Sequence, residues 1–512
     1  MRGMVAGVFV AGAMALGASG ATGQATTVDP GPTPRATCGP GSNPETGMQG
    51  RVSTEDVASG RAEQGYTCNL TELAHFGNSG GYKVHRYIDA AGHECGFFDS
   101  TLLFPTGVPT AGANGPGVYV LDMTDPANPV KTDNLVTPAM LSPHESLYLN
   151  QTRGLLVADM GFPTFNPGFV DIYDVTADCR HPVLKSSTPL GVLGHESGFS
   201  PDGNTFWVSS AGGKTIAALD ITDPTVPQVL WISQQWSPHG VRISKDGNRL
   251  YIADTSDGLH IVDVSEIQAR KPNPTAKELS FLTWPELSIP QVAIPVTIGG
   301  HPYLIEIDEF AKGVSTDPAA TVGAARIIDI ADDTHPFVVS NIRLEVHMPD
   351  ARLGDEKDDP GPSSSVGGLQ PYAGHYCEVP QADDPGIVAC GMILSGLRVF
   401  DIRDPYHPKE IAYFNKPIEG TGPGDSPSSY SMDAPTFIPE RAEIWHADGN
   451  GGFSVLRFTN GVWPFAANAS ADAERSVPTA TLAATGLPVG IVPAAVALFA
   501  LALTLRRTRA KL

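Results

Sequence analysis

Val118-Tyr119-Val120-Leu121-Asp122-Met123-Thr124-Asp125-Pro126 is the first of six copies of one phrase. It returns as Asp171-Ile172-Tyr173-Asp174-Val175-Thr176-Ala177-Asp178, as Ala217-Ala218-Leu219-Asp220-Ile221-Thr222-Asp223-Pro224 and as Leu259-His260-Ile261-Val262-Asp263-Val264-Ser265. The last two are Arg326-Ile327-Ile328-Asp329-Ile330-Ala331-Asp332 and Arg398-Val399-Phe400-Asp401-Ile402-Arg403-Asp404-Pro405. A degenerate seventh, Phe453-Ser454-Val455-Leu456-Arg457-Phe458, puts Arg457 near the Asp position. Successive aspartates stand between 43 residues apart (Asp220 to Asp263) and 72 (Asp329 to Asp401). A strand-turn unit recurring at such a period marks a radial β-repeat.

Apolar, β-branched and aromatic residues at period two make each phrase a strand. The Asp that follows starts a turn, because its carboxylate caps local N–H groups and a following Pro fixes φ. A hairpin precedes the phrase, as in Ile243-Ser244-Lys245-Asp246-Gly247-Asn248-Arg249-Leu250, where Asp-Gly is a strong turn signal. Phe199-Ser200-Pro201-Asp202-Gly203-Asn204 repeats the design. Each unit thus supplies about four antiparallel strands, one blade of a propeller.

Seven units follow, at about 80–137, 138–190, 191–235, 236–287, 288–345, 367–417 and 430–459. Six or eight blades are the alternatives if the fifth unit divides differently. The seventh is one strand short, and Leu70-Thr71-Glu72-Leu73-Ala74-His75-Phe76 is available to complete it. The expectation is an all-β, seven-bladed β-propeller over 65–460, closed by an N-terminal strand so that no sheet edge is left open. The phrase resembles the LVIVD-repeat family of bacterial surface propellers over roughly 65–460. That resemblance implies the propeller fold and leaves the chemistry open.

Arg2, the apolar stretch Met4 to Leu16 and the small residues Gly17 to Gly23 read as a signal peptide over 1–23. Residues 24–64 read as a polar lead-in, and 461–481, rich in Ala, Ser and Asn, as a flexible tether. Pro349 to Gly368 reads as an acidic loop. The apolar run 487–505 is long enough for a transmembrane helix, and Arg506, Arg507, Arg509 and Lys511 behind it hold that end in the cytoplasm. Leu482-Ala483-Ala484-Thr485-Gly486 stands directly before it. Together, 482–512 resemble a cell-wall sorting signal of the Leu-Ala-x-Thr-Gly type, which implies sortase cleavage between Thr485 and Gly486. A plain membrane tail is the alternative. The expected location is the cell wall or the outer face of the cytoplasmic membrane. The expected processing partners are signal peptidase and sortase, with a surface ligand of unknown identity.

The formal net charge of −22 over 512 residues disfavours nucleic acid and anionic membranes as partners. Six cysteines in an exported chain point to disulfides. Cys377 and Cys390 flank one hairpin turn. Cys95 lies just after a blade-one hairpin turn and Cys179 in the outer turn of blade two, turns that share one face, and Cys38 and Cys68 remain by elimination.

Histidines carry the only hint of chemistry. Fourteen residues before Ala158, Ser209, Ala253 and Ala389 stand His144, His195, His239 and His375; fourteen before Asp99 stands His85. The same count from Ala447 gives Asp433, and the blade-five equivalent is Gln291. This register is the start of the innermost strand, which faces the central channel. Converging imidazoles can hold a transition metal, Fe, Cu or Zn rather than Mg or Ca. Glu145, Glu196 and Asp433 are placed to accept from the rings and orient them. Seven-bladed carotenoid-cleaving oxygenases, with a four-histidine iron, resemble this arrangement at the level of fold. The competing reading is that histidines copied with the repeat serve backbone hydrogen bonds at the blade junctions. No Cys-x-x-Cys, His-Glu-x-x-His, P-loop or nucleophile elbow is present as a credible match. Two functions follow: a surface-anchored binding module with a possible metal at the channel mouth, or a metal-dependent oxidoreductase or lyase.

Overall fold

Each copy of the phrase is the third strand of a four-stranded antiparallel sheet. The computed structural model describes residues 28, 31–102, 110–111, 117–161, 168–210, 213–310, 322–349, 351, 372–416, 429–449 and 451–465. Blade 1 comprises Val84–Ile88, Glu94–Asp99, Val118–Asp122 and Val130–Leu135, and blade 2 Tyr148–Asn150, Leu155–Asp159, Phe169–Asp174 and Val183–Pro189. Blade 3 runs Glu196–Phe199, Thr205–Ser210, Thr215–Asp220 and Gln228–Ser233; blade 4 runs Pro238–Ile243, Arg249–Asp254, Gly258–Asp263 and Lys277–Leu282. Blade 5 holds Ile289–Ile298, His301–Glu309, Ala325–Asp329 and Phe337–Ile342. Blade 6 holds Tyr376–Glu378, Ile387–Gly391, Leu397–Asp401 and Lys409–Asn415, and blade 7 Thr436–Ile438, Glu443–Asp448 and Gly452–Phe458.

The phrase aspartates act locally. Asp122, Asp174, Asp220, Asp263, Asp329 and Asp401 each accept the backbone N–H two residues on, at 2.8–3.0 Å. Just before each, the pairing with the fourth strand slips by one residue, between Val120 and Leu121 in blade 1 and between Val399 and Phe400 in blade 6. A bulge at one position per blade adds the twist a propeller sheet needs.

The phrase strands are buried on both faces, because blades stack face to face. Leu149 and Leu156 pack on Phe97 and Val120, and Val157 and Ile172 on Val208 and Leu219. The series runs on through Trp207 against Val241, Ile261 against Leu304, Ile305 against Phe400 and Val399 against Leu456. It closes with Trp445 and Phe453 against Phe98 and Tyr119. Seven such clusters make the ring, and apolar burial drives its closure.

Leu70–Phe76 pairs antiparallel with Gly452–Phe458, so an N-terminal strand completes blade 7 as expected. Tyr66–Cys68 adds a fifth strand to blade 6. The disulfides are Cys38–Cys68, Cys95–Cys179 and Cys377–Cys390. Two expected boundaries move. Residues 31–64 are not a loose lead-in: Thr54–Ser59 is helical, the Arg398 guanidinium is buried between Glu45 and Glu410, and Arg35 pairs with Glu345. Polar partners hold what the apolar content alone would not. At the other end Trp463 stacks near Phe437, Phe458 and Phe465, so residues 463–465 pack on blade 7. The expected signal peptide (1–23), the tether from 466 to 481 and the sorting signal with its 487–505 helix lie outside the described residues, as does most of the 349–368 loop. Among the described residues, no helix is long and apolar enough to cross a membrane.

Candidate functional site

Residues at the entry to the first strands of several blades meet on the ring's inner side. Glu145 and Glu196 form a parallel bridge between blades 2 and 3, and Lys83 and Ala434 form the same bridge between blades 1 and 7. The residues just before them, His144, His195, Tyr82 and Asp433, therefore occupy one position in four blades. In blade 4, His239 sits in a bulge between Pro238 and Gly240, and Gln291 takes the matching bulge between Pro290 and Val292 in blade 5. His375 enters blade 6.

Four of the five expected histidines converge. His195 Nε2 lies 3.1 Å from His239 Nε2. Glu145 stands among all four rings: Oε1 is 3.5 Å from His144 Nε2 and 3.2 Å from His375 Nε2, and Oε2 is 3.4 Å from His195 Nε2 and 3.6 Å from His239 Nε2. A second carboxylate, Glu309, comes from the end of the second strand of blade 5. Its oxygens lie 3.4 Å from His239 Nε2 and 3.0 Å from His375 Nε2. Tyr82 and Phe310 pack on the imidazoles at centroid distances of 4.3 Å (Tyr82 to His144) and 5.8 Å (Phe310 to His375).

The backbone aims these rings. His239 Nδ1 is 3.1 Å from the Pro290 carbonyl and His375 Nδ1 is 2.7 Å from that of Met432, while His195 bonds the Gly161 backbone. A neutral ring that donates from Nδ1, as His239 does, keeps a lone pair on Nε2, the atom facing the cluster; His375, whose Nε2 also bonds Glu145 and Glu309, frees that lone pair only on losing a proton. His144 adopts φ of 51°, a left-handed value unusual for a side-chain-bearing residue. Gly194 precedes His195 because a Cβ there would stand 1.6 Å from Asp159 Oδ1.

Burial lowers His144, His195 and His239, the last to about 3. His375 behaves oppositely. Burial disfavours its charge, but hydrogen bonds to Glu145 and Glu309 outweigh that and push it up to about 9. Burial likewise opposes ionisation of Glu145, yet the surrounding imidazoles hold it well below the usual carboxylate range. Burial pushes the second carboxylate, Glu309, up to about 7.

Four expected roles are corrected. His85 lies off the ring: its Nε2 is 2.8 Å from the Leu147 carbonyl, and it packs on Tyr148. The blade-1 hairpin is longer than its counterparts, so the count from Asp99 lands three residues past the ring position, which Tyr82 fills. Glu196 turns away from the imidazoles to accept from Arg242 Nη1 at 2.7 Å, Val241 N at 3.0 Å and Lys83 Nζ at 3.4 Å. Asp433 turns into its own blade, accepting from the Ala447 N–H and pairing with buried His446 at 2.7 Å. Glu145 is not an outer orienting group either, since it contacts every ring.

Below the cluster, Lys83 Nζ lies over the Tyr376 ring at 3.6 Å, and the Tyr376 hydroxyl donates to Glu145 Oε2 at 3.4 Å. Burial lowers Lys83 to about 8. An amine lowered on folding opposes stability while it is charged, and that cost fades as pH rises from 8 toward the unfolded value near 10.4. The expected outcome is that Lys83→Met stabilises the protein at pH 7 by about 3 kcal/mol. Urea unfolding of both proteins at pH 7 and pH 10 checks this: the gap must shrink at the higher pH.

The LVIVD repeat family model matches residues 240–271, from the residue after His239 through the phrase around Asp263. No curated protein matches the chain. Among solved structures it is similar to a candidate 6-phosphogluconolactonase from Bacteroides fragilis (12% identity, TM-score 0.44, covering 70% of this chain and 92% of that one). It is also similar to a second from Bacteroides uniformis (12%, 0.46, 69% and 88%) and to a chain of the mitotic checkpoint complex (10%, 0.44, 76% and 94%).

Proposed function

We propose that this LVIVD-repeat propeller is an exported protein that binds a transition metal, Fe, Cu or Zn, inside its ring on His144, His195, His239 and His375 with Glu145 and Glu309. One observation carries the reading: Nε2 and carboxylate oxygens crowd to 3.0–3.6 Å of one another. With metal–nitrogen bonds of 2.0–2.1 Å, ligand atoms around one ion stand about 3.0 Å apart in an octahedron and about 3.4 Å in a tetrahedron. Imidazoles mixed with carboxylates suit Fe, Cu or Zn over Mg or Ca. Three disulfides support an oxidising compartment. Export through residues 1–23, sortase anchoring at Thr485 and a helix over 487–505 complete the proposal, with the disc displayed as a binding module.

Elemental analysis of protein produced with Fe, Cu and Zn supplied in turn tests it. Stoichiometric metal that survives dialysis and is lost in the His144→Ala, His239→Ala double variant is the expected result. Protein that stays metal-free in all three media overturns it.

A metal-dependent oxidoreductase or lyase is the second reading, favoured by access. The His195 side chain is 19% exposed, whereas those of His144, His239 and His375 are 8%, 3% and 1% exposed. One edge of the cluster is therefore open to a small molecule.

A further inference from the structure

We infer that the cluster is built for two metal ions bridged by Glu145, an inference that rests on the metal-binding reading above. The donors form two sets that share this one residue: His144, Glu145 and His195, and Glu145, Glu309 and His375. His239 joins the first set, its Nε2 being 3.1 Å from that of His195.

The carboxylate geometry separates one ion from two. A carboxylate serving a single ion turns one oxygen, or both together, toward one point. Glu145 divides its oxygens between the two sets: Oε2 lies 3.4 Å from His195 and 3.6 Å from His239, while Oε1 lies 3.2 Å from His375. His144, 3.5 Å from Oε1, stands at the seam and joins the first set through His195. Glu309 repeats the division, with Oε1 3.4 Å from His239 and Oε2 3.0 Å from His375. Carboxylates whose two oxygens face different imidazoles are shaped to span ions about 3.5–4 Å apart, the separation of two-metal sites.

The two positions differ in completeness. The first has three imidazoles and two carboxylate oxygens, Glu145 Oε2 and Glu309 Oε1, a closed set of five. The second has one imidazole and two carboxylate oxygens, which leaves a fourth position free. Two divalent ions against two carboxylates leave excess positive charge, so the ligand class expected at that position is a small anion or an ionised oxygen group.

Titration of the metal-free full chain with Cu(II) alone, followed by elemental analysis and electron paramagnetic resonance, tests this. The expected result is two ions per chain, with signal intensity falling as the second enters because bridged ions couple. Glu309→Gln is expected to reduce the count to one and restore the uncoupled signal. Saturation at one uncoupled ion per chain would overturn the two-ion site while leaving the metal-binding reading intact. No bound ion would overturn both. Two ions retained in Glu309→Gln would overturn the second position as drawn.

Discussion

Glu145→Gln is expected to weaken metal binding roughly 700-fold, with the fold unchanged. Structural zinc sites bind with about 10–16 kcal/mol over four ligands, so each ligand carries about 2.5–4 kcal/mol, a factor of roughly 60 to 700. Glu145 sits at the upper end because it is the one residue in contact with all four imidazoles. The amide keeps the shape and removes the charge. Competition against a chromophoric chelator measures the affinity, and a variant within tenfold of the parent would remove Glu145 from the ligand set. A second readout needs no metal. Hydrogen bonds from His375 to Glu145 and Glu309, with the charge of those carboxylates, outweigh burial to keep His375 near 9, so in Glu145→Gln that ring must titrate at lower pH. Proton NMR of the metal-free variant would follow it.

Replacing Cys95 and Cys179 by Ser is expected to cost about 4–5 kcal/mol, more than the loss of either other disulfide. The bond spans 84 residues and ties the second strand of blade 1 to a turn of blade 2. Cys377–Cys390 spans 13 residues and joins residues already paired across one hairpin. Loop-closure entropy makes the longer link worth about 4.6 kcal/mol and the shorter about 3 kcal/mol. Urea unfolding of the two double-serine variants should therefore rank Cys95–Cys179 as the greater loss. A reversed order would mean that blades 1 and 2 stay associated in the unfolded chain.

Repetition made the fold legible. A phrase written six times places strand, turn and bulge in each blade, and the aspartates do what Asp in a turn does. The missing strand of blade 7 was visible as a deficit, with Leu70–Phe76 as the one segment to fill it. The site was legible only where it obeyed the repeat. His144, His195, His239 and His375 keep the register; a longer hairpin breaks it in blade 1, so His85 misleads and Tyr82 escapes notice. Glu309 has no signal of this kind, because it stands just beyond Asp308, where blade 5 departs from the shared pattern. Glu196 and Asp433 illustrate a different limit. Neighbours in sequence fix where a carboxylate starts, but Lys83, Arg242 and His446, brought in by tertiary structure, decide where it turns. Residues 31–64 were misjudged because composition counts apolar atoms and overlooks Arg398, whose buried charge fastens Glu45 to blade 6.

The strand that seals the circle is synthesised near the start of the chain, and its partner, Gly452–Phe458, emerges only after every other blade. Pairing of such distant segments is slow and comes late. Until the final hairpin arrives, Leu70–Phe76 waits with its hydrogen-bonding edge uncovered, an invitation to the wrong neighbour. The ring can be sealed only once that hairpin arrives, and His375, at the entry to blade 6, is the last of the four imidazoles to be made.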